Sequence, residues 1–329
     1  MIAPGGQGAD ALGRPCATTG AVVILDGLVR DRCPYIGDEA VIDRTFDVSD
    51  PHFGAQQNML RWFAAHQHSD GAIPSSPIYG GTQVLFDYNG YWITTLFNYV
   101  LYSGDLGLAR ALWPNVTKLI DGWYAAHVQP NGLLVNDLGD RDYAYIRRHG
   151  DVVAYFNAQY VYALKQAVQI ASWIGDTSAA TRWTAQAART SAAFSQAFWD
   201  GNAGAFEDTT VDSTTHPEDG NSFAVLAGTG TREQQLSALN YLEAHDAYSY
   251  GNSICDSQTW DDPSWGYQAN LRVYPFIGFF GSSGSLPGRP RRVGAEHDPA
   301  RVGLYGRKRT SNNRLGDDRA IWRRPDRLA

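Results

Sequence analysis

Residues 154–176 read AYFNAQYVYALKQAVQIASWIGD, and residues 179–199 follow as AATRWTAQAARTSAAFSQAFW. Apolar side chains return at helical spacing along both stretches, over a length that strands do not reach. Only Gly175 and Asp176 punctuate the junction, so the two stretches predict an antiparallel pair of helices. Working outward, the same period recurs in GAQQNMLRWFAAHQ (54–67), YNGYWITTLFNYVLYSG (88–104), LARALWPNVTKLIDGWYAAHV (108–128), NSFAVLAGTG (221–230), REQQLSALNYLEAH (232–245) and WGYQANLRVYPFIGFF (265–280). Strand-like alternation is scarce. Consecutive helical hairpins in a chain of this length predict an all-α domain closed into an α/α toroid. A fixed repeat of about 34–47 residues is missing, which disfavours a solenoid. In a toroid the loops at one end surround a central cleft, so charged clusters on those loops are candidates for chemistry.

The formal charge of −7 is unevenly spread. Residues 281–329 hold 12 Lys+Arg against 5 Asp+Glu, which leaves 15 against 29 in residues 1–280. An acidic body repels a phosphate backbone, and the basic tail lacks the interleaved aromatics or helical period of a nucleic-acid or membrane arm. Neither partner is expected. Cys16, Cys33 and Cys255 have no CxxC spacing and are expected to be free thiols. No basic-then-apolar leader opens the chain and no run approaches the roughly 18 apolar residues of a membrane span, so a cytoplasmic protein is expected. His66 and His68, at i and i+2, point to different helix faces, and DLGDRD (137–142) lacks the spacing of a calcium loop. GxSxG, HExxH and Walker A motifs are all missing. Neither a metal nor a cofactor is expected.

The stretch DGLVRDRCPYIGD (26–38) carries three aspartates and two arginines around Pro34 and Gly37. Alone it fits a solvated loop as well as a site. It resembles, however, the catalytic signature of the bacterial α-L-rhamnosidases of glycoside hydrolase family 78, with Asp26, Arg30, Asp31, Tyr35, Gly37 and Asp38 in register. The resemblance continues through IPSSPIYGG (73–81), YSGD (102–105), WIGD (173–176) and NLRVYPFIGFF (270–280). It implies an (α/α)6 six-hairpin barrel, incomplete here, over residues 21–280, with residues 1–20 unassigned. It also implies inverting hydrolysis of terminal α-L-rhamnosides. Inversion needs an acid for the glycosidic oxygen and a separate carboxylate for water, about 6.5–9.5 Å apart.

By the resemblance Asp31 is the general acid, where many members have Glu, and Tyr35 stands where many have Trp. Asp26 and Asp38 accept hydrogen bonds from sugar hydroxyls and favour a protonated Asp31, or else Arg30 and Arg32 neutralise them in a structural network. Arg30 and Asp142 complete the expected sugar contacts, and Tyr35, Trp92 and Tyr143 wall the pocket, Trp92 being equally readable as core.

The family's base-bearing TxWE-like segment has no counterpart after Phe280. Read one base out of register, codons compatible with residues 281–329 can spell REWGY and GWETIGP segments, with a Glu straddling the codons of Gly316 and Asp317. Residues 281–329 are therefore expected to be an out-of-frame, disordered tail. Were a base to lie earlier, Asp137, Asp142 and Glu218 are the first candidates. Another six-hairpin glycosidase, a polysaccharide lyase and a non-catalytic sugar-binding remnant remain open alternatives.

Overall fold

The computed structural model describes residues 2–3, 8–9, 15–16, 22–27, 33–49, 52–77, 81–139, 141–257, 260 and 272–283. Its helices are α1 (Ile36–Ser49), α2 (Gly54–Ala65), α3 (Tyr88–Ser103), α4 (Leu106–Lys118), α5 (Ala125–His127), α6 (Ala154–Ile174), α7 (Thr177–Phe198), α8 (Glu218–Ala227), α9 (Arg232–His245) and α10 (Pro275–Ser283). A π-helical turn, Leu119–Tyr124, joins α4 to α5, so the expected helix over 108–128 is one continuous rod. Strands among the described residues are two-residue antiparallel pairs.

Burial divides the helices into two layers. Nine tenths of α8, three quarters of α3 and two thirds of α6 are buried, whereas α7 and α9 bury one stripe each. An inner helix needs apolar or satisfied residues all round, an outer one only a face. The inner helices α1, α3, α6, α8 and α10 touch in sequence order, and α10 returns to α1, so they close a ring. Rings from four of them meet at its centre: Tyr91 stacks on Phe280 at 5.2 Å, and Phe223 lies 5.2 Å from Tyr155 and 5.0 Å from Phe280.

The links at one end of the ring are short and built alike. Gly104 (φ 71°) and Gly175 (φ 87°) end α3 and α6 in the left-handed conformation that a side chain resists. The next residue caps the following helix: Asp105 accepts from the N–H groups of Gly107 and Leu108, and Asp176 from Ala179. At the third such link Gly228 ends α8, and Thr231 and Gln234 form a reciprocal capping box on α9. At the other end the connections are long: 66–87, 128–153, 199–217 and 246–274.

Three expectations change. Helix α1 carries no apolar stripe, because its buried residues include Asp38, Glu39, Asp43 and Asp47, and it was not foreseen. The last helix starts at Pro275 and not at 265, since proline suits a first helical turn and interrupts a later one; residues 265–271 lie outside the described residues. Cys33 is disulfide-bonded, whereas Cys255 is free and buried, so the expectation of three free thiols fails at Cys33. Sequence separation alone cannot reveal such pairing. The expected out-of-frame tail lies outside the described residues from 284 onward.

Candidate active site

The long-loop end of the ring is the end at which the inner helices begin, and acidic residues cluster there. Asp38 and Glu39 sit in the first turn of α1, Asp87 immediately precedes α3, and Glu218 and Asp219 open α8. Helix N-termini favour negative charge, since their first N–H groups lack helical partners.

At the centre of this end Arg148, from the loop preceding α6, meets three carboxylates. Its Nε lies 3.2 Å from Asp142 Oδ2, its Nη1 2.7 Å from Asp208 Oδ1, and its Nη2 2.5 Å from Asp219 Oδ2. All four side chains are buried, and the guanidinium lies over the rings of Tyr155, Phe156 and Trp260. Burial works against the charge on Arg148, but Asp219, Asp208 and Asp142 outweigh it and hold its pKa above the usual arginine value. Burial pushes Asp208 up to about 7, against the opposing pull of Arg148. The Trp260 indole donates to the other oxygen of Asp208 at 3.0 Å.

A second chain of contacts joins this centre to α3. Asp87 Oδ2 accepts from the Tyr143 backbone N–H at 3.2 Å and from the Tyr155 hydroxyl at 3.0 Å, and the Tyr155 and Tyr91 hydroxyls meet at 2.7 Å. Burial first, and then the charge of Asp142, hold the Asp87 carboxyl well above the usual range. The Tyr143 hydroxyl donates to Asp219 at 3.1 Å, which closes the circuit back to Arg148.

The residues expected from the sequence divide as follows. Arg30 and Asp31 lie outside the described residues. Asp26 is buried, and its Oδ1 accepts from the Cys33 backbone N–H at 2.9 Å, so it ties together the ends of the motif loop. Tyr35 is half-buried beside Trp62 and Cys33, and Asp38 is buried in the first turn of α1. Tyr143 and Asp142 do stand in the cluster at the long-loop end, but Asp142 is occupied by its own loop: Oδ1 accepts from the N–H groups of Ala144 and Ile146, and Oδ2 meets Arg148. Trp92 is fully buried and its indole faces the Leu60 carbonyl at 3.4 Å, a core placement behind the cleft.

The three fallback bases also take other roles. Asp137 is exposed and pairs with His127 at 3.1 Å, and Asp142 is engaged as above. Burial, with the charges of Asp219 and Asp246, pushes Glu218 up to about 9, so it carries a proton at neutral pH. Sequence reasoning missed Arg148, Asp87, Asp208, Asp219 and Trp260. The only local signal for any of them is an acidic residue just before an apolar helix, as in FDYNGYW (86–92) and EDGNSF (218–223). Among the described residues no group of three or more His, Cys, Asp or Glu is placed to hold a metal ion, and no helix is long and apolar enough to cross a membrane.

Solved structures share this architecture. A rhamnosidase from Klebsiella oxytoca with rhamnose bound is 21% identical, with a TM-score of 0.61 over 68% of this chain and 44% of its own. A family 78 rhamnosidase of Bacillus sp. GL1 is 20% identical, with a TM-score of 0.57 over 64% of this chain and 23% of its own. An uncharacterized conserved protein from Thermus thermophilus is 15% identical, with a TM-score of 0.58 over 76% of this chain and 79% of its own. At these identities the likeness is one of fold, and the chain spans less than half the length of either rhamnosidase. No curated protein matches the chain. Residues 20–242 match the family model of the bacterial alpha-L-rhamnosidase six-hairpin glycosidase domain. With about two thirds of its residues inside that match and its helices paired around an all-α ring, the chain belongs to the bacterial α-L-rhamnosidase six-hairpin glycosidase family.

Proposed function

We propose that this chain carries the acid-bearing part of an inverting glycoside hydrolase that releases terminal α-L-rhamnose. The observation that carries this reading is the motif 26–38, which lies within the family match and whose residues 33–35 run directly into the N-terminus of α1, at the end where the buried carboxylates gather. Asp31 protonates the glycosidic oxygen as the bond to the leaving group breaks, and water attacks the opposite face of the sugar. Asp26, Asp38 and Arg30 contact the sugar hydroxyls, and Tyr35 and Tyr143 wall the sugar. Trp92 and Asp142 take no part in sugar contact, because the core and the Arg148 cluster already use them.

The water-activating carboxylate belongs to the alternative reading frame of the tail, so the 329-residue chain turns over little. Losing general-base catalysis costs about 10²–10⁴-fold. The test is release of an aryl α-L-rhamnoside by this chain and by a version corrected by one base near Gly281, measured side by side. Turnover by the corrected protein alone is expected. Equal turnover overturns the frame argument, and no hydrolysis by either overturns the rhamnosidase reading.

A further inference from the structure

Two of the long connections, 199–217 and 246–274, meet at one imidazole. His216 grips Asp256 twice, its backbone N–H lying 2.8 Å from Oδ1 and its Nδ1 2.9 Å from Oδ2. The other ring nitrogen, Nε2, lies 3.3 Å from Asp200 Oδ2. Asp200 belongs to the short hairpin that pairs Trp199–Asp200 with Ala205–Phe206, and its Oδ1 holds the turn by accepting from the N–H groups of Asn202 and Ala203. Asp256 belongs to the second connection, which Thr215 and Ser257 also join to the first at 2.8 Å, and which the Ile254 carbonyl joins to the Glu218 N–H of α8 at 2.9 Å.

Both ring nitrogens therefore face carboxylate oxygens, and an ionised carboxylate only accepts. A cationic imidazole has two N–H groups and satisfies both partners, whereas a neutral one has a single N–H and turns a lone pair on the other carboxylate. The two arms are unequal. The Asp256 arm is the shorter, is doubled by the backbone N–H and is backed by the Tyr241 hydroxyl, which donates to Asp256 at 2.7 Å. The Asp200 arm is one longer contact, and the Asp200 side chain is 18% exposed against 12% for Asp256. Around the ring, Tyr241 of α9 lies 5.0 Å away and stacks on His245 at 4.1 Å, and the carboxyls of Glu207 and Asp246 feel the His216 charge. Burial lowers the pKa of the ring, but Asp256 and Asp200 more than reverse this, so the cation persists above the ordinary histidine range.

We propose that His216 is a proton-operated latch: the charged ring fastens the hairpin 199–206 to the connection that carries Asp256, and loss of the proton frees the hairpin at Asp200 while the Asp256 contact stays. One edge of the long-loop end is thus held at lower pH and loosened as pH rises through the raised value. The latch is independent of which sugar the site accepts.

The test is hydrogen exchange of the full 329-residue chain, read by mass spectrometry over residues 199–206 and 246–257 between about pH 5.5 and pH 9 and corrected for intrinsic exchange, while NMR follows the imidazole signals. Protection of 199–206 should fall about tenfold as His216 loses its proton, the factor for one charge-assisted hydrogen bond, while 246–257 keeps its protection. His216→Gln, which has one amide donor, should show the lower protection at every pH. Unchanged protection of 199–206 across the His216 titration overturns the latch. Loosening of 246–257 instead places the weak arm at Asp256 and overturns the assignment to Asp200. Asp246, pushed up to about 8 chiefly by burial, titrates in the same range. A response that vanishes in Asp246→Asn and persists in His216→Gln therefore overturns the role of the imidazole.

Discussion

Arg148 Nη2 lies 2.5 Å from Asp219 Oδ2, and both side chains are buried, so the loop ahead of α6 is tied to the first turn of α8. Two further carboxylates depend on the same guanidinium. Arg148→Met leaves Asp142, Asp208 and Asp219 without their cation, and breaking a buried pair in this way costs about 3–5 kcal/mol. Arg148→Lys recovers only part of this, because an ammonium cannot fork to three acceptors. Urea unfolding should show both losses in that order. A loss below about 1 kcal/mol for the methionine variant would contradict the role assigned to Arg148.

Glu39, Asp43 and Asp47 follow one another at intervals of four along α1; among the described residues neither carboxyl oxygen of Glu39 has a hydrogen-bond partner, and Asp43 is approached only by Gln56 and Thr95. Burial raises both well above the usual range, helped by Asp43 at Glu39 and by Asp47 at Asp43. A carboxyl whose folded pKa is raised stabilises fully below its unfolded value, about 4, and that contribution is lost as pH rises through the folded value. Asp43→Asn removes the titration. It should raise the melting temperature at about pH 8 and leave it nearly unchanged at about pH 4. An equal shift at both values would mean that packing, and not charge, decides.

His216 bridges two segments, with Nδ1 2.9 Å from Asp256 Oδ2 and Nε2 3.3 Å from Asp200 Oδ2, while the Tyr241 hydroxyl donates to Asp256 at 2.7 Å. Burial lowers the ring's pKa, but Asp256 and Asp200 more than reverse this, and the net shift is upward. The stability it contributes is therefore complete below the usual histidine value near about 6.5 and is lost as pH rises through the raised folded value. Asp200 and Asp256 are held below their usual range, because hydrogen bonds and the His216 charge outweigh their burial, so their share is lost at the acid end. His216→Gln should flatten the alkaline side of the melting profile. A profile unchanged above about pH 6.5 would remove the imidazolium from the account.

At the α6–α7 link, Gly175→Ala places a methyl group in open space but in a left-handed backbone, so its cost is conformational, about 1–2 kcal/mol. Asp176→Ala should cost about 1 kcal/mol through the lost cap. Chemical denaturation reads both. A stabilising Gly175→Ala would show that the link can rearrange.

The hairpins were legible because Gly-Asp punctuation acts locally: Gly104 and Gly175 stop one helix while Asp105 and Asp176 start the next. Helix α1 escaped because its inward face carries Glu39, Asp43 and Asp47, so the period that betrays a helix is written in carboxylates and not in apolar residues. The cluster around Arg148 escaped for a different reason. Asp142 lies on Arg148's own connection, Asp208 on the connection after α7 and Asp219 in the first turn of α8, and only the closed ring brings the last two within reach of the guanidinium. The motif 26–38 was legible by resemblance alone. Composition had left it indistinguishable from a solvated loop.

The contrast between the two ends of the ring bears on how such a domain can be altered. At the short-link end a glycine and a cap discharge one geometric duty each, and inserted residues would separate the stop signal from the start signal. At the other end the connections 128–153 and 199–217 rest on contacts inside a few anchors, such as Asp142 to Arg148 and Thr209 to His149, and leave stretches between them in solvent. A library that varies only those stretches, with the anchors held, samples new specificities without touching the helix pairs. Recombination between relatives should tolerate exchange of whole connections there and reject joints placed at the Gly-Asp links.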